Sequence, residues 1–152
     1  MKDLLSDFIA AIDSESLDSF EAALLAFKKF KEVKANGNVE IGLVVKAIRP
    51  IGLALGERLA AKPKSRMAWL KKLASDDKAA ARCLACIVLG EIGKVAPNSI
   101  VATAHKLATD PRWEVRECIA NAFDDQIGLA QPEFVYDLMK QWVADPSPNA
   151  RR

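Results

Sequence analysis

The sequence contains few of the residues from which most catalytic and metal sites are built. Histidine occurs once, at His105, and cysteine three times, at Cys83, Cys86 and Cys118. The lone histidine leaves histidine-based acid–base catalysis without a partner, and three cysteines in a helical chain do not make a disulfide framework. These four side chains contain the donor atoms of a zinc site, but their spacing fits no zinc finger. We therefore expect cysteines that are buried as small apolar side chains, with no metal and no cofactor.

Long apolar runs and a leader segment are missing as well. The apolar stretch at residues 41–55 is interrupted by Lys46, Arg49 and Pro50, which argues against a membrane span. The N-terminal residues have neither the basic flank nor the apolar core of a secretory signal. We expect a cytoplasmic protein without a membrane partner.

Net charge is small, at +2, but the charges are unevenly distributed. Residues 1–27 sum to −5, residues 28–72 to +9 and residues 73–152 to −2. Only the middle segment can supply the positive field that a nucleic-acid backbone requires. A solvated helix face explains the same side chains equally well. The candidate contacts with a nucleic-acid backbone are Lys28, Lys29, Lys31, Lys34, Arg58 and Lys62.

An aspartate is followed six residues later by an arginine three times in the chain. The pairs are Asp76/Arg82, Asp110/Arg116 and Asp145/Arg151, and their spacings are 34 and 35 residues. A shared period of this length predicts an all-α array of stacked helix pairs. In each unit, a helix A leads through an Asp-bearing turn to a helix B.

The repeat divides a single expected domain into N-terminal helices, residues 1–65, and repeated units, residues 66–152. Pro111 and Pro146 directly follow an aspartate, which predicts an N-cap aspartate with proline at the first helical position. Pro50 predicts two helices, or one sharply kinked helix, between residues 39 and 61.

The motif Asp110-x4-Val115-Arg116, with the apolar stripe and the Ile-Gly end that follow it, resembles a HEAT repeat. The resemblance implies a short right-handed HEAT-like α-α superhelix. Such arrays are mostly scaffolds that bind a protein or a nucleic acid on their concave face. This is the first functional hypothesis.

A second resemblance is narrower. The basic segment ahead of the repeats and the element Ala81-Arg82-x-Leu84-Ala85 are similar to DNA alkylation repair proteins. This implies a glycosylase that removes alkylated bases, or a non-catalytic relative that binds damaged DNA, with DNA held in a basic groove. No complete catalytic set matches residue by residue, so the second hypothesis assigns no catalytic residue.

The helix after Asp110 has two faces of different composition. At the helical period, one face consists of Val115, Cys118, Ile119, Ala122 and Phe123 and is predicted to be core. The opposite face consists of Trp113, Glu117, Ala120 and Asp124. The equivalent residues of the preceding unit are Ala79, Cys83, Cys86 and Gly90, and those of the following unit are Pro148 and Arg152. These positions are predicted to form the floor of the concave surface.

The binding candidates lie on or beside this opposite face. Trp113 would stack on a base or anchor a peptide, and Glu117 or Asp124 would hold a cation or activate water. Arg112 and Arg116 are further candidates. The alternative is that Trp113 packs against the neighbouring unit while the acids face solvent.

The repeated arginines and the end of the array also allow two interpretations each. Arg82, Arg116 and Arg151 either contact phosphate or form a ladder in which the Asp of one unit pairs with the Arg of the next. The apolar helix over residues 133–144 has little to cover it. It is therefore predicted to contact a partner, such as a second copy of the chain in a homodimer, or to precede a C-terminal continuation.

Overall fold

The computed structural model describes residues 2–29, 41–62 and 64–151, which form eight helices and no strand. The predicted all-α class is confirmed. None of the described helices is long and apolar enough to cross a membrane. The helices are α1 (Lys2–Asp13), α2 (Leu17–Lys29), α3 (Ile41–Ala60), α4 (Arg66–Ala74), α5 (Ala79–Val95), α6 (Pro97–Ala108), α7 (Trp113–Ala122) and α8 (Pro132–Trp142).

The helices α1 and α2 form an N-terminal pair that packs through aromatic rings. Phe8 and Phe20 are fully buried, and their ring centroids lie 5.2 Å apart. Phe20 also meets Trp69 of α4 edge-to-face at 4.6 Å. Because such contacts stabilise beyond simple burial, they join the N-terminal pair to the first repeated unit.

Helix α3 runs through Pro50 without interruption, so the predicted division into two helices is wrong. Pro50 is exposed and removes only one backbone donor. After Pro50, the helix packs closely against α5. A Cβ placed on Gly52 would lie 2.6 Å from Ile87 Cγ2, and one on Gly56 would lie 2.5 Å from Glu91 Cβ. This contact leaves no room for a break after Pro50.

Helix α5 is the centre of the fold. Every residue from 83 to 93 is buried, because α3, α4, α6 and α7 all pack against this helix. The predicted concave floor is therefore wrong at Cys83 and Cys86, which α7 covers, and at Gly90, which Gln126 covers. The thiols of Cys83 and Cys86 donate to the backbone carbonyls of Glu114 and Val115 at 3.8 and 3.7 Å.

The three repeated aspartates form the same turn rather than a helix N-cap. The carboxylates of Asp76, Asp110 and Asp145 each accept a hydrogen bond from the backbone N–H two residues later, at 2.9, 2.9 and 2.8 Å. The N-cap of α7 is Arg112, so the predicted capping by Asp110 is wrong. The proline after the aspartate lies in the bend that precedes the helix. The aspartate thus shapes the turn between helix A and helix B.

The repeated arginines stabilise the same turn by hydrogen bonds to its backbone. Arg82, Arg116 and Arg151 each donate to the backbone carbonyl of their own aspartate, at 2.7, 2.7 and 2.6 Å. A side-chain pair between units also exists, but it has the opposite direction to the predicted ladder. The Asp110 carboxylate pairs with Arg82 of the preceding unit. The arginines are therefore structural elements of the turn.

The side chain that pairs with each aspartate from the preceding helices differs along the array. Asp76 pairs with Lys28 at 2.9 Å, and Asp145 pairs with His105 at 2.7 Å. The hydrogen bond that Lys28 donates to the Asp76 carboxylate raises the pKa of Lys28. The bonds from Ser147 and His105 lower the pKa of Asp145. The same carboxylate position is thus paired in all three units, by lysine, arginine and histidine in turn.

Helix α7 continues into a π-helical turn (Phe123–Ile127) and a last α-helical turn (Gly128–Ala130). A π turn contains one residue more than an α turn, and this shifts the side chains that follow it. Gln126 therefore faces α5, and its amide donates to the Ile87 carbonyl at 3.0 Å and to Glu91 Oε1 at 2.8 Å. Asp125 is exposed and pairs with Arg49 at 3.5 Å.

Candidate functional site

An open cleft of about 440 Å³ lies between the outer face of α7 and α8. We call it the α7–α8 cleft. Its volume is within the range of ligand-binding pockets. Its wall also includes the end of α6 and the turn that follows α8. The lining residues are Ala108, Trp113, Arg116, Glu117, Ile119, Ala120, Phe123, Asp124, Met139, Trp142, Asn149 and Ala150.

Four of the five predicted binding candidates meet in this cleft. Trp113 is 57% exposed, so its indole is accessible instead of being packed under a neighbouring unit. Glu117 and Asp124 are exposed as well. Arg116 is half-buried, and its guanidinium donates to the carbonyls of Asp110 and Pro111. The charged side chains of the cleft are therefore two carboxylates and one guanidinium, which sum to −1, and the guanidinium is bonded to backbone carbonyls.

The fifth candidate, Arg112, bonds to the turns that precede α7 and α5 instead of lining the cleft. Its Nε donates to the Asp110 carboxylate at 3.0 Å, and its Nη1 donates to the Asp77 carbonyl at 2.8 Å. These bonds fix the turn before α7 to the turn before α5. Arg112 does not line the cleft.

The local sequence explains why these side chains share one face. Val115, Cys118, Ile119 and Ala122 are buried against the preceding helices, as predicted from their spacing. The face opposite them then points away from the core. The π turn follows directly, and Asp124 in that turn still lines the cleft beside Ala120.

The apolar wall of the cleft was not predicted as part of the site. Phe123 and Trp142 are buried, with ring centroids 5.7 Å apart, and Met139 is half-buried beside them. Trp142 also meets the His105 ring at 5.6 Å. The sequence signal was the apolar stripe of α8, which was interpreted only as a surface that lacks a cover. The apolar stripe of α8 makes one wall of the cleft apolar, whereas the opposite wall on α7 carries the charged side chains.

Three of the predicted nucleic-acid candidates are paired with carboxylates in the described part of the chain. Lys28 pairs with Asp76, Arg58 with Asp13 at 3.3 Å, and Lys62 with Glu15 at 3.8 Å. Each of these three side chains therefore has an acidic neighbour. Lys29 is exposed at the end of α2, and Lys31 and Lys34 lie outside the described residues.

A second cleft of about 430 Å³ separates the end of α3 from α5. Glu91 is buried there and is bonded to Lys94 at 2.7 Å. Arg66 donates through Nη1 to the Ala60 carbonyl, while its buried Nε has no hydrogen-bond partner. Cations and carboxylates alternate along this wall, so the cleft does not favour a ligand of one charge.

The three cysteines are free and buried, as predicted. The hydrogen bond with Cys118 and burial raise the pKa of the Cys83 thiol, and burial raises that of Cys86. Thiols with raised pKa values are poor nucleophiles. Among the described residues, no group of three or more His, Cys, Asp or Glu side chains is arranged to hold a metal ion.

Comparison with known proteins gives a result at the level of the family. The family model described as HEAT repeats matches residues 54–152. This range contains all three Asp–Arg copies and the whole α7–α8 cleft. No curated protein and no solved structure matches the chain. The narrower resemblance to DNA alkylation repair proteins therefore gains no support from these comparisons.

Proposed function

Because the chain belongs to the HEAT-repeat family, whose repeats generally serve as protein-interaction scaffolds, we propose that it is a non-enzymatic scaffold that binds a partner protein in the α7–α8 cleft. The observation that carries this proposal is Trp113, an exposed indole at the rim of a cleft with an apolar wall. Tryptophan is among the residues that contribute most to binding energy at protein interfaces.

The charges of the cleft favour a cationic partner segment. Glu117 and Asp124 face the same space as Trp113, and Arg116 is held by two backbone carbonyls. A lysine or arginine side chain can lie against the indole face and approach a carboxylate at the same time. The apolar wall formed by Phe123, Met139 and Trp142 suits an apolar side chain next to that cation.

A nucleic-acid partner has weaker physical support. The damaged-DNA binding that the resemblance to alkylation repair proteins implies requires a row of free cations along a groove. Lys28, Arg58 and Lys62 are instead paired with carboxylates. The cleft itself adds two carboxylates, which repel phosphate.

The proposal is tested by selecting random peptides on the immobilised protein and measuring the affinity of the selected peptides by fluorescence anisotropy. We expect enrichment of sequences that combine Lys or Arg with apolar residues. Trp113→Ala should weaken binding by about 10-fold or more, since a tryptophan that anchors a partner typically contributes about 2 kcal/mol.

The matched control is Tyr136→Ala. Tyr136 is also an exposed aromatic residue, at 62%, but it lies outside the cleft beside Lys140. Equal losses in the two variants would contradict a site in the cleft. In parallel, short duplex DNA is titrated at low salt with the wild type and with Lys29→Glu. DNA binding that falls steeply with salt and with this substitution would favour the nucleic-acid hypothesis instead.

A further inference from the structure

The B helices α3, α5 and α7 present equivalent positions at intervals of 34 residues, and these positions change character along the array. Gly56 of α3 corresponds to Gly90 of α5 and to Asp124 of α7. Cys83 corresponds in the same way to Glu117, and Ala79 corresponds to Trp113. Small side chains on α5 are thus replaced by two carboxylates and an indole on α7.

On the inner B helices, α3 and α5, the next B helix packs against these positions. A side chain at Gly56 would overlap Glu91 of α5, and a side chain at Gly90 would overlap Gln126 of the π turn. The Cys86 thiol reaches the backbone carbonyl of Val115 at 3.7 Å. Each small residue therefore lets the following helix approach to backbone contact.

On α7, the same face is open to the cleft. Trp113, Glu117, Ala120 and Asp124 are all exposed. A helix is the expected occupant of this face, because the equivalent faces of α3 and α5 are each covered by the next B helix. The bulky indole and the carboxylates prevent another B helix from packing on α7 as closely as α7 packs on α5. A helix that binds here lies farther from α7 and carries cations.

We infer that the α7–α8 cleft binds a basic amphipathic α-helix of a partner protein, which lies along α7 where the inner B helices are covered by the next B helix. This inference rests on the proposed scaffold function and specifies the form of the partner. Glu117 and Asp124 are seven residues apart, which is two helical turns or about 10 Å. The partner helix therefore has two cations seven residues apart, with an apolar residue about one turn beyond the first cation to meet Trp113.

Charge favours a different protein over a second copy of this chain as the partner. The opposite end of the array consists of α1 and α2, and residues 1–27 carry a net charge of −5. An acidic end does not complement a cleft with two exposed carboxylates. A basic helix does, and the attraction between them should weaken with salt.

The probes are three synthetic peptides of about 18 residues, because shorter helices are marginal in water. The first is an alanine- and leucine-based helix with lysines seven residues apart. The second has the same composition with a central proline, which breaks the helix at a cost of about 3 kcal/mol. The third has glutamate in place of lysine. Binding is measured by fluorescence anisotropy at low and high salt, and light scattering reports self-association.

We expect the lysine helix to bind the wild type and the other two peptides to bind at least about 10-fold more weakly. Glu117→Gln and Asp124→Asn should each weaken the lysine helix several-fold. Asp137→Asn should not, since Asp137 is exposed on α8 outside the cleft. A variant with both Glu117→Lys and Asp124→Lys should bind the glutamate helix instead.

Two results would overturn the inference while leaving the scaffold function intact. One is equal binding of the proline-containing peptide, which would indicate an extended ligand. The other is self-association that is lost in Trp113→Ala, which would make a second copy the occupant. Failure of both the selected random peptides and the designed helices to bind would overturn the scaffold function as well.

Discussion

Asp110 connects three parts of the chain through one carboxylate. It is 2% exposed, accepts from the backbone N–H and the side chain of Arg112, and pairs with Arg82 of α5. Burial alone would raise the pKa of this carboxyl, but the hydrogen bonds from Arg112 and Arg82 outweigh it and hold the pKa below its usual value. The ionised form is therefore the one that stabilises the folded state.

We expect Asp110→Asn to lower the free energy of unfolding by about 2–3 kcal/mol at neutral pH, because Arg82 loses its charged partner. A folded-state pKa that lies below the unfolded value gives stability that is present above the unfolded pKa and is lost as pH falls through the folded pKa. The difference between wild type and variant should therefore shrink as pH falls from neutral into the acid range in which the Asp110 carboxylate becomes protonated. Urea denaturation across this range measures it.

Asp137→Asn is the control, since that carboxylate is exposed. It should change stability by less than about 0.5 kcal/mol at any pH. A destabilisation of Asp110→Asn that stays constant down to the acid limit would show that the carboxylate acts through shape and not through charge.

For individual residues, the sequence predicts which side chains are exposed better than it predicts their hydrogen-bond partners. Trp113, Glu117 and Asp124 follow from the helical period, because Val115 and Ile119 fix the core face. The partner of Asp110 does not follow, because the sequence spacing does not decide between Arg82 of the preceding unit, 28 residues before it, and Arg116 of its own unit, six residues after it. Only the packing of α7 against α5 decides that Arg82 provides the side-chain pair while Arg116 bonds the backbone.

Among the secondary-structure elements, the π turn Phe123–Ile127 has the largest effect on the site. In the register of the inner helices, Asp125 corresponds to Glu91, the residue that covers Gly56. The extra residue of the π turn places Gln126 against Gly90 instead, where its amide bonds the buried Glu91. A regular α turn would bring a second carboxylate towards Glu91. The π turn therefore avoids a buried like-charge pair.

Gly128 makes this turn possible, because an added Cβ would lie 2.5 Å from the Phe123 carbonyl oxygen. We expect Gly128→Ala to destabilise the protein by about 1–3 kcal/mol, although alanine normally stabilises a helix relative to glycine. The urea midpoint measures the change. Leu129→Ala, at the exposed neighbouring position, should have little effect. A Gly128→Ala variant as stable as the wild type would show that the π turn is not required.

The positions of the helices were predictable from apolar periodicity, while the π turn and the continuity of α3 were not. Both depend on contacts far away in sequence. Pro50 breaks many isolated helices, but the part of α3 that follows the proline is held against α5 at Gly52 and Gly56. The local sequence does not distinguish Phe123–Ile127 from an ordinary helical turn. The extra residue of the π turn is stabilised by Glu91, which belongs to another helix.

In the molecule as a whole, α5 is enclosed by four helices, while α1 and α8 lie at the two ends of the array. In repeat proteins, each unit is stabilised mainly by its neighbours, so units with neighbours on both sides open least. The centre of the array should therefore be more stable than its ends.

We expect backbone amides of residues 83–93 to exchange with deuterium most slowly, at rates set by global unfolding, and those of α1 and α8 to exchange faster through local opening. Hydrogen-exchange mass spectrometry measures this directly. Asp110→Asn should accelerate exchange in α5 and α7 together, because Arg82 and Asp110 link the two helices. Equal protection of α8 and α5 would contradict this order.

The two carboxylates of the α7 face also bear on what the protein does at high concentration. Repeat arrays have ends that resemble their own internal joints, so one molecule can add to the next in a head-to-tail manner. Contacts of this kind do not close, and they lead to open filaments. Burial of Glu117 and Asp124 against another molecule without a cation would cost several kcal/mol. We therefore expect Asp124, which stands where α5 has Gly90, to disfavour polymerisation, in the way that charged residues protect the edge strands of β-sheets.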